Sequence, residues 1–218
     1  MVRSLITAFV AVVFLSACGN TRTKPHFVVA DAGGLQPRVE DRDAGLVGLA
    51  AGFDLRPYRI VIVERFTVTD PGINDEDDRA LAASAPEYLQ EQFVQSLRES
   101  GLFERIVTPG EVASLSGPAL KLTGAIAQVQ GGSRHLRFWF RYGGGRSKVE
   151  VHTRLLDSGT GRLAVVTATR RVAASSEVPL SLDYGGSNEE LVQNALRDSA
   201  RDYARFLARL ARGEAPSG

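Results

Sequence analysis

The chain has 218 residues, of which 26 are Lys or Arg and 25 are Asp or Glu, so its formal net charge is only +1. This balance gives no general attraction to nucleic acid or to anionic lipid, and we expect no nucleic-acid partner. A hydrophobic content of 44% is ordinary for a globular protein, and the chain is long enough to bury one core. We therefore expect a single globular domain.

The first residues, 1–17, have the pattern of an export signal peptide. Arg3 supplies a positive charge, and the run from Leu5 to Leu15 is uncharged and mostly apolar. A helix that spans a bilayer needs about 20 apolar residues, so this shorter run is predicted to be the apolar part of a signal peptide. The run ends in Leu15-Ser16-Ala17-Cys18, which resembles the lipobox of bacterial lipoproteins.

The lipobox resemblance implies that the signal is removed before Cys18 and that this cysteine carries lipid. Cys18 is the only cysteine, so it has no disulfide partner within the chain. Several acyl chains, at about 0.8 kcal/mol per buried methylene, attach a protein stably to a membrane. Gly19 resembles the sorting signal for the outer membrane, which implies its inner leaflet, facing the periplasm. In the alternative interpretation, Cys18 is a small residue near the cleavage site of an ordinary secretory signal.

Residues 18–57 are predicted to be a flexible tether after the lipidated cysteine. Gly, Ala, Asp, Arg and Pro dominate this stretch, and its apolar pieces at Phe27-Val28-Val29 and from Leu46 to Leu49 are short. Such a sequence cannot bury enough apolar area to offset its ordering entropy. The alternative is that residues 27–30 form an edge strand. A single globular domain is predicted for residues 58–212, and a disordered tail for residues 213–218.

The predicted elements of the domain are clear enough to assign a fold class. Gly101 stands where a helix C-cap belongs, and Ser187 with Glu190 forms a capping box before the last helix. In chain order the elements are strand 58–69, helix 81–100, strand 103–107, strand 120–130, a hairpin of strands 147–157 and 162–172, and helix 189–212. This order, β-α-β-β-β-β-α, predicts an α/β (α+β) fold. We expect a two-layer sandwich with two helices on a mixed or largely antiparallel sheet of about five strands.

A family resemblance extends over residues 58–212. Its motifs are Leu122-Thr123-Gly124, the Gly-rich run 141–147, Val149-Glu150-Val151 and the turn 157–161. These motifs resemble DUF4410, a family of bacterial lipoproteins of unknown function, so the resemblance implies a fold and no activity. The element order is also similar, at the level of the fold, to the periplasmic domain of the curli secretion lipoprotein.

No constellation of residues indicates catalysis or a cofactor. His26, His135 and His152 have no nucleophile motif beside them and are expected to be exposed or hydrogen bonded. The acidic run 74–78 lacks the spacing of a calcium loop and is expected to be a solvated turn before a helix. The run 143–147 lacks the spacing of a phosphate loop. We expect no enzymatic activity, no cofactor, and no catalytic or metal-binding residues.

Residues 134–142 alternate aromatic and basic side chains in an unusual way. The segment could pack its aromatic face on the core, contact the membrane interface, or present aromatic residues and arginines to a protein partner. The candidate partner-binding residues are Arg137, Phe138, Trp139, Arg141 and Tyr142.

The last helix repeats arginine at steps of four, from Arg197 to Arg209, with Asp198 and Asp202 alongside. We expect a solvated face with ion pairs at three-residue spacing, and an acidic partner is the alternative. The sequence as a whole predicts a lipid-anchored, non-catalytic module that binds or assembles another component of the cell envelope. The alternatives are a self-oligomerising secretion or pore accessory and, less favoured, an envelope hydrolase.

Overall fold

A computed structural model of the protein describes residues 21–29, 33–114, 117–132, 147–173 and 187–217. Over these ranges the chain forms nine strands, two α-helices and one short 3-10 helix. The helices are α1 (Glu76–Ser100) and α2 (Asn188–Ala211), and the 3-10 helix is Pro109–Ser114. The strands are β1 (Thr21–Thr23), β2 (Val39–Asp41), β3 (Gly45–Leu49), β4 (Ile60–Val63), β5 (Thr67–Val68), β6 (Arg105–Val107), β7 (Ala119–Gln130), β8 (Ser147–Asp157) and β9 (Leu163–Ala173).

The strands form one mixed sheet in the order β2-β3-β9-β8-β7-β4-β6. Strands β1 and β3 follow one another along the same edge of β9, and β4 and β5 do so along β7. The pairs made by β4 and β5 are parallel, and the remaining pairs are antiparallel. A mixed α+β fold with two helices is thus confirmed. The prediction of about five strands is wrong, because nine are present in the described residues.

The long strands give the sheet two distinct ends. At the end that we call the loop end, Gln130 pairs with Lys148, and Lys148 pairs with Val172. At the opposite end, the turn end, a tight turn after Asp157 joins β8 to β9, as the sequence predicted. The Tyr58 hydroxyl donates a hydrogen bond of 2.6 Å to Asp157 there. This bond, together with those from Thr160, lowers the pKa of Asp157 to about 2.

Both helices pack on one face of the sheet, which we call the helix face. The ring of Phe93 in α1 stacks on Phe66 at 5.0 Å and meets Tyr203 of α2 edge-on at 5.6 Å. These rings belong to one buried apolar cluster that also includes side chains from β3, β4, β7, β8 and β9. The predicted caps are confirmed. Gly101 ends α1 in the left-handed conformation with φ 65°, and the Ser187 side chain accepts a hydrogen bond from the Glu190 amide.

The predicted strand 58–69 is divided in two by Phe66. Its ring is 2% exposed and turns into the core over Gly124 of β7. The edge of β7 still bonds both pieces, since the amides of Glu64 and Thr69 donate to the carbonyls of Leu122 and Ile126 at 2.9 Å. The ring can pack this close to the backbone of β7 because Gly124 has no side chain.

Three of the additional strands come from the stretch predicted to be a tether. Residues 39–41 and 45–49 form β2 and β3, and Val47 is fully buried against the core. The tether prediction is therefore wrong for these residues, because β3 pairs with the open edge of β9 and β2 pairs with β3, which satisfies backbone groups that the stretch could not satisfy alone. The alternative strand at 27–30 also does not form over residues 27–29, and the edge strand is β1, six residues earlier.

Replacing Gly124 with Ala should destabilise the protein. The added Cβ would lie 2.1 Å from the carbonyl oxygen of His152 and 2.7 Å from the Phe66 ring, so backbone and ring must both move. Overpacking of this kind costs about 1–3 kcal/mol of unfolding free energy, measured by urea denaturation. Gly110→Ala is the matched control, because nothing lies within 4 Å of its added Cβ. Equal stability of the two variants would contradict the close packing at Gly124.

Candidate functional site

The described residues place a built polar site on the face of the sheet opposite the helices, which we call the outer face. Glu150 and His152 of β8 lie there, and His152 was expected to be exposed or hydrogen bonded. The structure buries both, with Glu150 0% and His152 5% exposed. His152 Nε2 lies 2.8 Å from Glu150 Oε1, so the expectation that this histidine is hydrogen bonded is confirmed.

The N-terminal segment, which we define as the described residues 21–29, is fastened to this carboxylate. The backbone amides of His26 and Phe27 donate to the two oxygens of Glu150 at 2.7 and 2.9 Å. Burial of Glu150 opposes its ionisation, but the hydrogen bonds from His152, His26 and Phe27 outweigh burial and hold the pKa of the carboxyl below its ordinary value. Glu150 is therefore an ionised anchor point for the N-terminal segment.

A second attachment of the same segment lies on the helix face, at Asp202 of α2. Arg22 of β1, Arg171 of β9 and Arg205 of α2 all donate to the Asp202 carboxylate. Asp202 is 3% exposed, and Arg171 is 6% exposed. One buried carboxylate therefore joins the N-terminal segment, the sheet and the last helix.

The arginine face of α2 differs from the sequence prediction. The pair between Asp202 and Arg205 at three-residue spacing is confirmed. The prediction of a solvated face is wrong for Asp202 and Arg209, which are 3% and 5% exposed. They are buried because β1 and β2, from the predicted tether, bring Arg22, Asp41 and Asp43 against the helix.

Asp41 of β2 fastens the other end of the chain. Arg209 donates two hydrogen bonds of 2.6 Å to its carboxylate, and the Ser217 amide donates a third at 3.2 Å. Burial opposes the ionisation of Asp41, but the bonds from Ala44, Arg209 and other donors hold its pKa below the ordinary value. The amide of Arg42 also donates to the Ser217 carbonyl at 3.1 Å. The tail prediction is thus wrong for Ser217, whose backbone is hydrogen bonded to Asp41 and Arg42.

The loop end of the sheet is held by side chains from both helices. Asp78 of α1 accepts a hydrogen bond of 2.9 Å from the Gly131 amide, and Asn188 of α2 donates one of 3.0 Å to the Gly132 carbonyl. Burial raises the pKa of Asp78. The acidic run 74–78 was expected to be a turn before a helix beginning at Leu81, but α1 already begins at Glu76, with Asp75 as its N-cap accepting from the Asp78 amide at 2.7 Å. Within the described ranges, no group of three or more His, Cys, Asp or Glu side chains could hold a metal ion.

Several predicted site residues lie outside the described residues. These are Cys18, His135 and the partner-binding candidates Arg137, Phe138, Trp139, Arg141 and Tyr142. The structure also gives Arg22, Asp41 and Glu150 roles that the sequence did not indicate. For Asp202 the sequence predicted a pair with an arginine three residues away, but not its burial.

The sequence matches the family model of DUF4410, described as a domain of unknown function, over residues 61–176. The match covers more than half of the chain, and the chain belongs to this family. Comparison with curated protein sequences found no significant match. In the described residues, no helix is both long and apolar enough to cross a membrane.

Three solved structures have a similar fold. The PelC dodecamer from Paraburkholderia phytofirmans is 14% identical, with a TM-score of 0.47, and covers 72% of this chain and 98% of its own. A DUF330 protein from Xanthomonas campestris is 10% identical, with a TM-score of 0.44 and coverage of 76% and 94%. A candidate lipoprotein from Caulobacter crescentus is 17% identical, with a TM-score of 0.41 and coverage of 75% and 96%. Identities of this size with TM-scores below 0.5 assign no function.

Replacing Glu150 with Gln should loosen the N-terminal segment. The neutral amide loses the charge-assisted bonds from His26 and Phe27, which should cost about 1–3 kcal/mol of unfolding free energy at pH 7. Amide hydrogen exchange at these two residues should accelerate. In the control Glu64→Gln, the carboxylate is 36% exposed and pairs with Lys121 at 3.7 Å, so stability should change by less than about 0.5 kcal/mol.

The stability difference between wild type and Glu150→Gln should also depend on pH. Because the folded pKa of Glu150 is below its ordinary value of 4.5, the contribution is complete above that pH. It is lost as the pH falls through the lowered folded pKa. A difference that stayed constant down to acidic pH would contradict an ionised anchor.

Replacing Asp202 with Ala should be among the most damaging changes in α2. It leaves Arg22, Arg171 and Arg205 facing one another without their shared carboxylate, and removal of one partner from a buried ion pair costs about 3–5 kcal/mol. Thermal or urea unfolding measures the loss. Asp198→Ala is the matched control on the same helix, because its side chain is 37% exposed and lies 3.8 Å from Arg171. Similar losses in both variants would contradict the central place of Asp202.

Proposed function

We propose that this protein is a bacterial lipoprotein whose domain acts as a non-catalytic binding or assembly module for another component of the cell envelope. In this proposal the chain is exported, cut before Cys18 and held to a membrane by lipid on that cysteine. The proposed address is the inner leaflet of the outer membrane, facing the periplasm. Enzymatic activity, a cofactor and a nucleic-acid partner form no part of the proposal.

One observation in the described residues supports the proposal most. Thr21, three positions after Cys18 in the sequence, already pairs with Val172 of β9 as part of β1. A signal peptide that ends at Ala17 would therefore leave every described strand intact in the mature chain. Arg22 is tied to Asp202, and the amides of His26 and Phe27 to Glu150, so a lipid on Cys18 would be joined to the domain through several independent contacts.

The proposed contact residues remain Arg137, Phe138, Trp139, Arg141 and Tyr142. Trp, Tyr and Arg are the side chains that most often anchor protein interfaces. They lie in the sequence between Gly132 and Ser147, two residues that are held firmly by Asn188 and by the Gly131 carbonyl. A rigid attachment at both ends suits a segment that must present the same side chains to a partner each time.

Lipidation is tested by expressing the full chain in a Gram-negative host supplied with an alkyne-labelled fatty acid. We expect label and acyl mass on Cys18, and protein in the membrane fraction. Cys18→Ser should lose the label and leave that fraction. A wild-type chain that is exported, soluble and free of lipid would contradict the lipoprotein assignment.

Partner binding is tested by mild-detergent extraction from membranes of the native bacterium, followed by native mass measurement and identification of co-purifying proteins. We expect a discrete envelope partner that is lost in the double variant Trp139→Ala, Arg141→Ala. The control is Arg59→Ala with Arg65→Ala, since both side chains are 63% exposed. A partner-free monomer in all variants would contradict the binding module. A ring-sized homo-oligomer would favour the secretion or pore accessory instead.

A further inference from the structure

The position of β1 in the sheet carries an inference about how the domain sits on a membrane. β1 runs antiparallel to β9, and its first residue, Thr21, pairs with Val172 at the loop end. Val172 pairs in turn with Lys148, and Lys148 with Gln130. The N-terminal chain therefore joins the domain at the end of the sheet where β7 finishes and β8 begins.

The length of chain before β1 limits how far the domain can move from its lipid. Cys18 and Thr21 are separated by three peptide units, which span at most about 10 Å when fully extended. We call this short connection from Cys18 to Thr21 the leash. The sheet is longer than this leash, because the nine residue steps from Lys148 to Asp157 cover about 30 Å. A lipid-bound Cys18 can thus lie close to the loop end but not close to the turn end.

We propose that the domain lies with the loop end of its sheet against the bilayer and with the turn end directed away from it. This inference rests on the proposed lipidation of Cys18. The occupant of this surface is the lipid headgroup layer, and the attachment comes from the leash, because the contacts of Arg22 and of Glu150 prevent the N-terminal segment from unwinding to lengthen it.

The described residues at the loop end include acidic side chains at the start of both helices. Both helices begin there, as Asp78 and Asn188 bond to Gly131 and Gly132. The exposed acidic residues at these two helix starts are Asp75, Glu76, Asp77, Glu189 and Glu190. Because carboxylates are repelled by anionic headgroups, uncharged phosphatidylcholine is the suitable lipid for a test of the orientation.

The orientation is tested on the lipidated full chain in phosphatidylcholine vesicles with a quencher attached to the headgroups. A fluorophore is placed on Asp77→Cys at the loop end or on Ser158→Cys at the turn end, both exposed positions. We expect several-fold stronger quenching at 77 than at 158.

A lengthened leash provides the decisive control. Ten Gly and Ser residues inserted between Asn20 and Thr21 should bring the two quenching values together, whereas the same insertion between Gly159 and Thr160 should leave their difference intact. If the acylated protein with the wild-type leash showed equal quenching at 77 and 158, or stronger quenching at 158, the proposed orientation would be overturned but the proposed function would not. Absence of acyl mass on Cys18 would overturn the proposed function and the orientation together.

Discussion

A buried carboxylate, that of Asp202, connects the start of the chain to its sheet and its last helix. It accepts hydrogen bonds from arginines of β1, β9 and α2 and is itself only 3% exposed. Burial of Arg171 and partial burial of Arg22 beside it are unfavourable unless a negative charge compensates them. The first strand, the sheet and the last helix are consequently held in one arrangement. In the same way, the Asp41 carboxylate accepts hydrogen bonds from Arg209 and from the Ser217 amide, which attaches the C-terminal residues to β2 and α2.

The elements with strong periodicity could be predicted from the sequence, and those that depend on a distant partner could not. β8 has the predicted bounds, and α2 begins at the predicted cap, because alternation and capping are local properties. β1, β2 and β3 are three to five residues long, too short for a period to be detected. They form strands because β1 and β3 pair with the open edge of β9 and β2 pairs with β3, and β9 lies more than 100 residues away in sequence.

The same reason explains which parts of the candidate site were missed. Alternation in β8 separates Val149 and Val151 from Glu150 and His152, but polarity alone does not indicate that the second pair is buried. Their burial follows from the N-terminal segment, whose two amides match the two carboxylate oxygens of Glu150. No local sequence pattern near residues 26 and 27 predicts these hydrogen bonds to Glu150. The lipobox at Cys18 and the aromatic segment 134–142 were identified from the sequence, and they lie outside the described residues.

The antiparallel pairing of β1 with β9 also determines how the domain responds to mechanical load. A pull on Thr21 from the loop end acts along the strand, so it slides β1 past β9 and does not peel it away. Sliding strains all hydrogen bonds of the ladder at once, whereas peeling breaks them one after another. The Arg22 pair with Asp202 lies within this ladder and shares its load, and the bonds of His26 and Phe27 to Glu150 lie behind it and would take up the force next. A short strand at the start of the chain thereby becomes a shear-resistant fastening.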